Sequence, residues 1–301
     1  MSIVVGYPAN RRGHAAINLG AMLARSTERD LVVCTVVPAP WMPANARVDK
    51  EYRLRLEHLA EHALEQARAD LPAGVRAEFV VHRARSAASG LLEVAKRHQA
   101  RFVVIGSSTA GMFGHITLSS VADRLLHSSP VPVALATRGF RCTAEDRATR
   151  VTVAYNGSQL ASQVVTATRL VASSAGAAVR LAAFAVQPDP PDTVLLRAES
   201  EGIVDEWAAT IRSAAARDFA AHQEGSLLTD GTEVVVGRGR NWGEALEDID
   251  WDEHELLVVG SSRFGPASRV FLGARGSKIV RHSPVPVVVV PRAAAKEVDE
   301  P

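Results

Sequence analysis

Only two cysteines, Cys34 and Cys142, occur in 301 residues. Two are too few for a disulfide framework. Cys34 lies in an apolar run and reads as a reduced core residue. Aromatic residues make up 5% of the chain, so a surface that stacks bases has few platforms to use. The 34 Lys and Arg nearly cancel the 33 Asp and Glu, leaving +1, and a near-neutral chain lacks the basic footprint of nucleic-acid binding. No apolar run reaches the roughly 18 residues that a membrane helix needs. The N-terminus opens as a strand, Ser2 to Tyr7, without the basic region or cleavage site of a leader. The cytoplasm is therefore expected, with neither nucleic acid nor membrane as a partner. No Gly-x-Ser-x-Gly string occurs, and the serines are not arranged with a His and an Asp, so no hydrolytic triad and no dedicated enzyme are expected.

What the chain does have, it has twice. Val103-Val104-Ile105-Gly106-Ser107-Ser108 leads to Leu118-Ser119-Ser120-Val121 and then to Ser128-Ser129-Pro130-Val131-Pro132-Val133. Leu257-Val258-Val259-Gly260-Ser261-Ser262 leads to Gly273 and then to His282-Ser283-Pro284-Val285-Pro286-Val287. A repeat of about half the chain length means two similar domains in tandem. The expected division is residues 1–138, a polar linker 139–150, residues 151–292, and a disordered tail 293–301.

Each half alternates apolar strands with helical patterns. In the first, strands are expected at Ser2 to Gly6, Leu31 to Val37, Arg76 to His82, Arg101 to Gly106 and Val131 to Thr137. Helices are expected at Arg12 to Ser26, Lys50 to Leu71, Ser89 to His98 and Ser119 to Ser128, the second with Leu56, Leu59, Ala60, Ala63, Leu64 and Ala67 inward. The second half repeats the cycle from Val151 to Val290. Alternation of this kind implies parallel units with right-handed crossovers, here two doubly wound five-stranded sheets flanked by helices. The binding crevice of such a sheet lies at the carboxyl ends of its strands, at the switch point.

These strings resemble the universal stress protein family in its tandem form, over nearly the whole chain. Tyr155-Asn156-Gly157-Ser158 is similar to the family's Asp-Gly-Ser after the first strand. The resemblance implies an adenine nucleotide alpha hydrolase-like fold and a stress-response role. Members that bind ATP carry Gly-x2-Gly-x9-Gly-Ser/Thr, where glycines admit the phosphate to backbone N–H groups at a helix start. ATP is the cofactor that this implies. Onto that pattern fall Gly106, Ser107, Thr109, Ser119, Ser120 and Val121 in the first half, and Asn156, Gly260, Ser261, Arg263 and Gly273 in the second.

Neither half keeps the whole motif. Thr109 and Ser119 replace the second and third glycines of the first copy, and Pro8 falls near the family's acid. Arg263, Ala274 and Asn156 replace the second glycine, the Ser and the acid of the second copy. If a replaced glycine needed positive φ, each β-carbon would cost roughly 1–2 kcal/mol. Arg263, Arg275 and Lys278 could return some affinity by pairing with phosphate. The alternative function is an interaction module with decayed sites that acts by docking to partners.

In the resembled family the last strand of each domain pairs with its copy across a dimer. The strands Val131–Ala136 and Val285–Val290 are therefore expected to mediate self-association, either between the two halves or with a second chain. Three further strings carry weaker signals. His58-Leu59-Ala60-Glu61-His62 matches an inverted zinc-peptidase string but reads as a solvated flank. The glycines from Gly237 to Gly243 read as a turn and the start of a helix. The acidic residues Glu244, Glu247, Asp248, Asp250, Asp252, Glu253 and Glu255 read as a solvated face.

Overall fold

The computed structural model describes residues 2–9, 13–39, 46–108, 112–158, 161, 164, 165, 168, 172, 175–187, 194–221, 233–261 and 269–291. The candidate positions Thr109 and Arg263 and the tail 293–301 lie outside them.

The first half runs β1 (Ile3–Gly6), α1 (His14–Thr27), β2 (Leu31–Pro38), α2 (Ala46–Asp70), β3 (Ala77–Ala84), α3 (Ala87–Arg97), β4 (Phe102–Gly106), α4 (Ser120–Ser128) and β5 (Val133–Ala136). The second runs β6 (Arg150–Ala154), β7 (Ala178–Val186), α5 (Val194–Ala221), β8 (Glu233–Gly239), α6 (Trp242–Glu247), β9 (Glu255–Gly260), α7 (Ala274–His282) and β10 (Val287–Val290). Between β6 and β7 the described positions 161, 164, 165, 168, 172 and 175 are helical.

All ten strands form one sheet in the order β3-β2-β1-β4-β5-β10-β9-β6-β7-β8. Every pairing is parallel except β5 with β10 at the centre, where Leu135, Ala134 and Val133 face Val287, Val288 and Val289 antiparallel. The two expected five-stranded sheets are thus joined edge to edge. Of the two pairings open to the terminal strands, the chain uses the internal one, and neither strand keeps a free edge. The strands begin two residues later than the apolar runs suggest. Pro132 and Pro286 have no N–H for the ladder, but their carbonyls still accept from Val103 and Leu257 at 3.0 and 2.9 Å.

Strands covered on both faces explain the continuous valine runs. Successive residues go to opposite cores. Ile3 and Val5 join the layer under α1, α2 and α5, while Val4 joins the layer under α3, α4, α6 and α7. Both layers cross the seam, with Ala134 and Val288 on one face and Val133, Leu135, Val287 and Val289 on the other. Among the described residues no helix is long and apolar enough to cross a membrane.

Two expectations are corrected. Leu59 is expected inward, but it is 48% exposed; among the described side chains of α2 the buried ones are Ala60, Ala63, Leu64 and Ala67. Glu255 was placed on a solvated acidic face, but it is fully buried. Its Oε1 accepts from Arg180 Nη2 at 2.8 Å, and its Oε2 accepts from Arg150 Nη2 at 2.8 Å and the Asp252 N–H at 3.0 Å.

The stretch from Gly139 to Arg150 is fastened to α1. Arg25, itself buried, donates from Nε to the Asp146 carbonyl at 2.9 Å and from Nη2 to the Thr143 carbonyl at 2.7 Å. The Cys142 N–H donates to Asn18 Oδ1 at 3.0 Å, and the Ala148 N–H donates to Ser26 Oγ at 2.8 Å. Asp146 then reaches His254 of the second half at 3.2 Å. Burial of Phe140 and Ala148 completes the attachment.

Candidate functional site

In the first half the strand order reverses between β1 and β4, because β2 lies on one side of β1 and β4 on the other. A cleft of about 360 Å³ opens there, at the carboxyl ends of the strands. Gly6 and Tyr7 come from the end of β1, Cys34 and Val36 from β2, and Gly106 and Ser107 from the end of β4. Three helices begin at its rim, represented by Gly13, Ala87, and Ser119 with Val121. Helix starts carry unpaired N–H groups and a positive dipole end, so the topology itself aims three partial positive charges at the opening.

Local sequence sets each of these starts. Ser86 and Ser89 form a capping box ahead of α3. Ser119 caps α4, its Oγ accepting from the Ala122 N–H at 3.2 Å. Gly13 precedes α1 with no side-chain cap. A β-carbon on Gly13 would come within 2.2 Å of the Tyr7 ring, so only glycine lets that ring form the cleft wall. Tyr7 is 1% exposed, and its hydroxyl donates to Asp70 Oδ2 at 3.0 Å. The same carboxylate oxygen lies 2.9 Å from His14 Nδ1. Burial, followed by the Asp70 hydrogen bond and charge, pushes the Tyr7 phenol above its ordinary range. Burial also pushes the Cys34 thiol up to about 12.

The loop after β4 is shaped by one serine. Ser107 Oγ accepts from the Thr117 N–H at 2.7 Å. The second half repeats this with Ser261, whose Oγ accepts from the Phe271 N–H at 3.2 Å and donates to the Val290 carbonyl at 2.7 Å. The spacing from serine to donor is the same in both, so Ser119 corresponds to Gly273 and Val121 to Arg275.

The structure brings Gly106, Ser107, Ser119 and Val121 together at the cleft. Ser120 is exposed beside them and does not line it. Gly260 ends β9 with Ser261 directly after it, and Gly273 precedes α7. Gly260 is needed for packing, since a β-carbon there would lie 2.8 Å from Val164 Cγ2. Asn156 turns inward on its own loop, accepting from the Ser158 N–H at 3.1 Å and Oγ at 2.7 Å. The backbone penalty expected at Ser119 does not arise: its φ of −82° suits any residue, and Gly273 has nearly the same −75°.

The weaker signals resolve locally. His58 and His62 are exposed and lie 3.8 and 3.5 Å from Glu61 and Glu65 of their own helix. Among the described residues no three His, Cys, Asp or Glu converge to hold a metal. Gly237 and Gly239 admit the backbone of Ala245, which would lie 2.0 and 2.5 Å from their β-carbons. Asn241 then caps α6 by accepting from the Glu244 N–H at 3.0 Å. Tyr7, Asp70 and His14 escape a sequence reading, because no spacing rule links residues 63 apart.

The family model of the universal stress protein family matches residues 1–137 and 148–291. A universal stress protein of Mycobacterium tuberculosis is 37% identical over 297 residues, covering 97% of this chain and 100% of the relative. A universal stress protein of Mycobacterium bovis matches to the same extent. Among solved structures, a universal stress protein from Archaeoglobus fulgidus superposes with a TM-score of 0.58 at 20% identity, covering 96% of this chain and 98% of that one. One from Pseudomonas aeruginosa gives 0.57 at 15% identity, covering 99% and 96%. With a repeated family match, relatives aligned along their full length and the same fold in solved members, the chain belongs to the universal stress protein family.

Proposed function

We propose that the protein is a cytoplasmic stress-response regulator that responds to an adenine nucleotide bound in the first-half cleft. The observation that carries this reading is the position of the cleft. It lies at the switch point, and the motif residues Gly106, Ser107, Ser119 and Val121 line it although they are spread over two elements. Cys34, Val36, Leu91 and Ile105 give it an apolar floor suited to a base, and three helix starts at the rim suit the polar end of a ligand. In the second half, Gly260, Ser261 and Gly273 occupy the matching positions, with Asn156 on the base or ribose side. No residue is assigned a catalytic role.

A second reading, docking to a protein partner, draws on Met112 and Phe113. They stand 69% and 74% exposed at the tip of the loop that precedes α4. Mass spectrometry of small molecules released on denaturing the purified protein, followed by calorimetric titration with ATP, ADP and AMP, separates the two. Released or titratable nucleotide is expected. Folded protein that carries none and gives no heat would leave the docking reading in its place.

A further inference from the structure

One wall of the first-half cleft is held in place by the second half. Ser119 and Val121 line the cleft at the start of α4, which runs nine residues to Ser128. At 1.5 Å per residue, its far end lies about 13 Å from the cleft. There the segment just ahead of α7 is fastened to it. The Val270 N–H donates to the Ser129 carbonyl at 2.7 Å, and the Leu272 N–H donates to the Leu126 carbonyl at 3.1 Å. Between them the Phe271 ring meets the His127 ring edge to face, with centroids 5.2 Å apart. Val270 and Leu272 are buried in the same core layer as Leu125 and Leu126. The clasp also belongs to the second half's motif. Ser261 Oγ holds the Phe271 N–H, and Gly273 follows Leu272 directly.

The architecture shared by the two halves does not impose this clasp. By the spacing that matches Ser119 with Gly273, Ile116 and Leu118 are the counterparts of Val270 and Leu272. Among the described residues neither of them donates to the end of α7. The second half therefore grips the helix that lines the first-half cleft, without a reciprocal grip on α7. A short helix moves as one piece, so what steadies one end steadies the other. Two sites that bias one rigid element are coupled, and the coupling is reciprocal. We infer that α4 couples the first-half cleft to the second half: a ligand seated against Ser119 and Val121 steadies the clasp at Val270 and Leu272, and the clasp in turn tightens the cleft. His127 and Phe271 act on the cleft through α4, as positioning residues. The coupling rests on the nucleotide reading above and specifies how that same site is regulated.

The amides of Val270 and Leu272 report the clasp directly, since each is released for exchange when it opens. Those of Ala122 and Asp123, bonded to Ser119 Oγ and to the Ser119 carbonyl, report the cleft end of α4. Deuterium exchange of the full chain, followed by NMR during titration with ATP, reads all four. In wild type, ATP is expected to slow exchange at all four with one half-saturation concentration. Val121→Trp fills the cleft and is expected to abolish the response at all four. His127→Ala and Phe271→Ala lie outside the cleft lining. They are expected to raise the ATP concentration for half-response at Ala122 and Asp123 about three- to tenfold, and to remove the response at Val270 and Leu272. His127 is partly exposed, so its variant stays folded if the buried side of the clasp does not tolerate the other. A wild-type response confined to Ala122 and Asp123 would overturn the coupling. So would a response of Val270 and Leu272 in Val121→Trp, which would trace it to ligand bound in the second half. An unchanged ATP concentration in both clasp variants would overturn it as well. If ATP slows exchange at none of the four amides in wild type, the nucleotide reading fails, and the coupling fails with it.

Discussion

Arg180 donates from Nη2 to Glu255 Oε1 at 2.8 Å, and the two side chains are only 4% and 0% exposed. Arg180 also donates from Nε to Thr152 Oγ1 at 3.0 Å and from Nη1 to the Asp250 carbonyl at 3.0 Å, and its guanidinium lies 5.4 Å from the Trp251 ring centroid. The first half has no such cluster at the matching register. There Val4 pairs with Val32, as Thr152 pairs with Arg180 in the second half. Identical strand geometry thus holds either an apolar pair or a charged one. Removing one member of a buried ion pair strands the other, which costs about 3–5 kcal/mol, whereas replacing the set with packed apolar groups is often neutral. Glu255→Ala is expected to lower unfolding stability by about that amount, with Thr152→Val, Arg180→Val and Glu255→Leu together losing much less. Urea unfolding of both chains decides it. Equal losses would mean that the charges themselves stabilise the fold.

The fastening of residues 139–150 onto α1 is the second testable relationship. Arg25 holds two carbonyls and lies 3.2 Å from Cys142 Sγ, which fixes the connection between the halves rather than leaving it free. Hydrogen bonds from a charged donor contribute about 1.5–3 kcal/mol each before the lost burial is counted. Arg25→Ala is expected to lower stability by about 2–4 kcal/mol and to open the stretch to limited proteolysis between Gly139 and Arg150. Cleavage there at the wild-type rate would show that the apolar contacts of Phe140 and Ala148 suffice.

The Asp146 carboxyl adds a pH dependence to that attachment. Its pKa is lowered, first by the Thr143 backbone hydrogen bond, with His254 and Arg25 also contributing as charges. A depressed carboxyl contributes stability that is present above its ordinary value and lost as pH falls through the folded value. Acidification below about pH 3.9 is therefore expected to lower the protection of the Thr143 amide, its exchange rate taken relative to that of an unfolded chain at the same pH, in wild type. Asp146→Asn should show little change over that range. The same acid response in the variant would move its origin to another carboxyl.

At the seam, Val288 pairs with Ala134 on one side and with Val258 on the other. Proline at 288 would remove its N–H from the centre of the ladder and is expected to cost at least the hydrogen bond lost there, about 1 kcal/mol or more. Because both core layers cross the seam, thermal unfolding of Val288→Pro should show both halves weakened in one transition. A second half that melts early while the first keeps its wild-type midpoint would make the seam a contact between independent units.

Much of this architecture was legible because its signals are local. Valine runs mark strands buried on both faces, and two copies of one loop predict two copies of one geometry. What stayed hidden depends on partners far away in the chain. Glu255 reads as one more acid in an acidic run until Arg180, 75 positions earlier, is placed beside it. Leu59 fits an inward stripe by helical spacing, but the stripe on α2 that meets the sheet is narrower than the apolar count. The motif glycines were legible as residues but not in their reasons, since Gly260 answers to Val164. Ser119 looked like a damaged glycine, yet its backbone is unstrained and its hydroxyl is a working cap.

Cys34 gives the cleft a chemical reporter. It lines the cleft, is 1% exposed, and its thiol is pushed up to about 12 by burial, with Arg97 only partly opposing this. The thiolate is the reactive form, so at pH 8 a fraction on the order of 10⁻⁴ is available in the folded chain. Iodoacetamide at pH 8 is expected to leave Cys34 unmodified until urea unfolds the protein, with the half-buried Cys142 reacting first. The sign of the linkage follows from the raised value. The thiol contributes stability that is complete below its ordinary value near 9 and is lost as pH climbs towards about 12. Cys34→Val should therefore lose less stability than wild type between pH 8 and pH 10.5, a difference that urea midpoints can measure and that the raised Tyr7 phenol, present in both chains, does not contribute to. Identical alkaline losses in the two chains, or rapid native labelling of Cys34, would mean that the β2 side of the cleft opens to water.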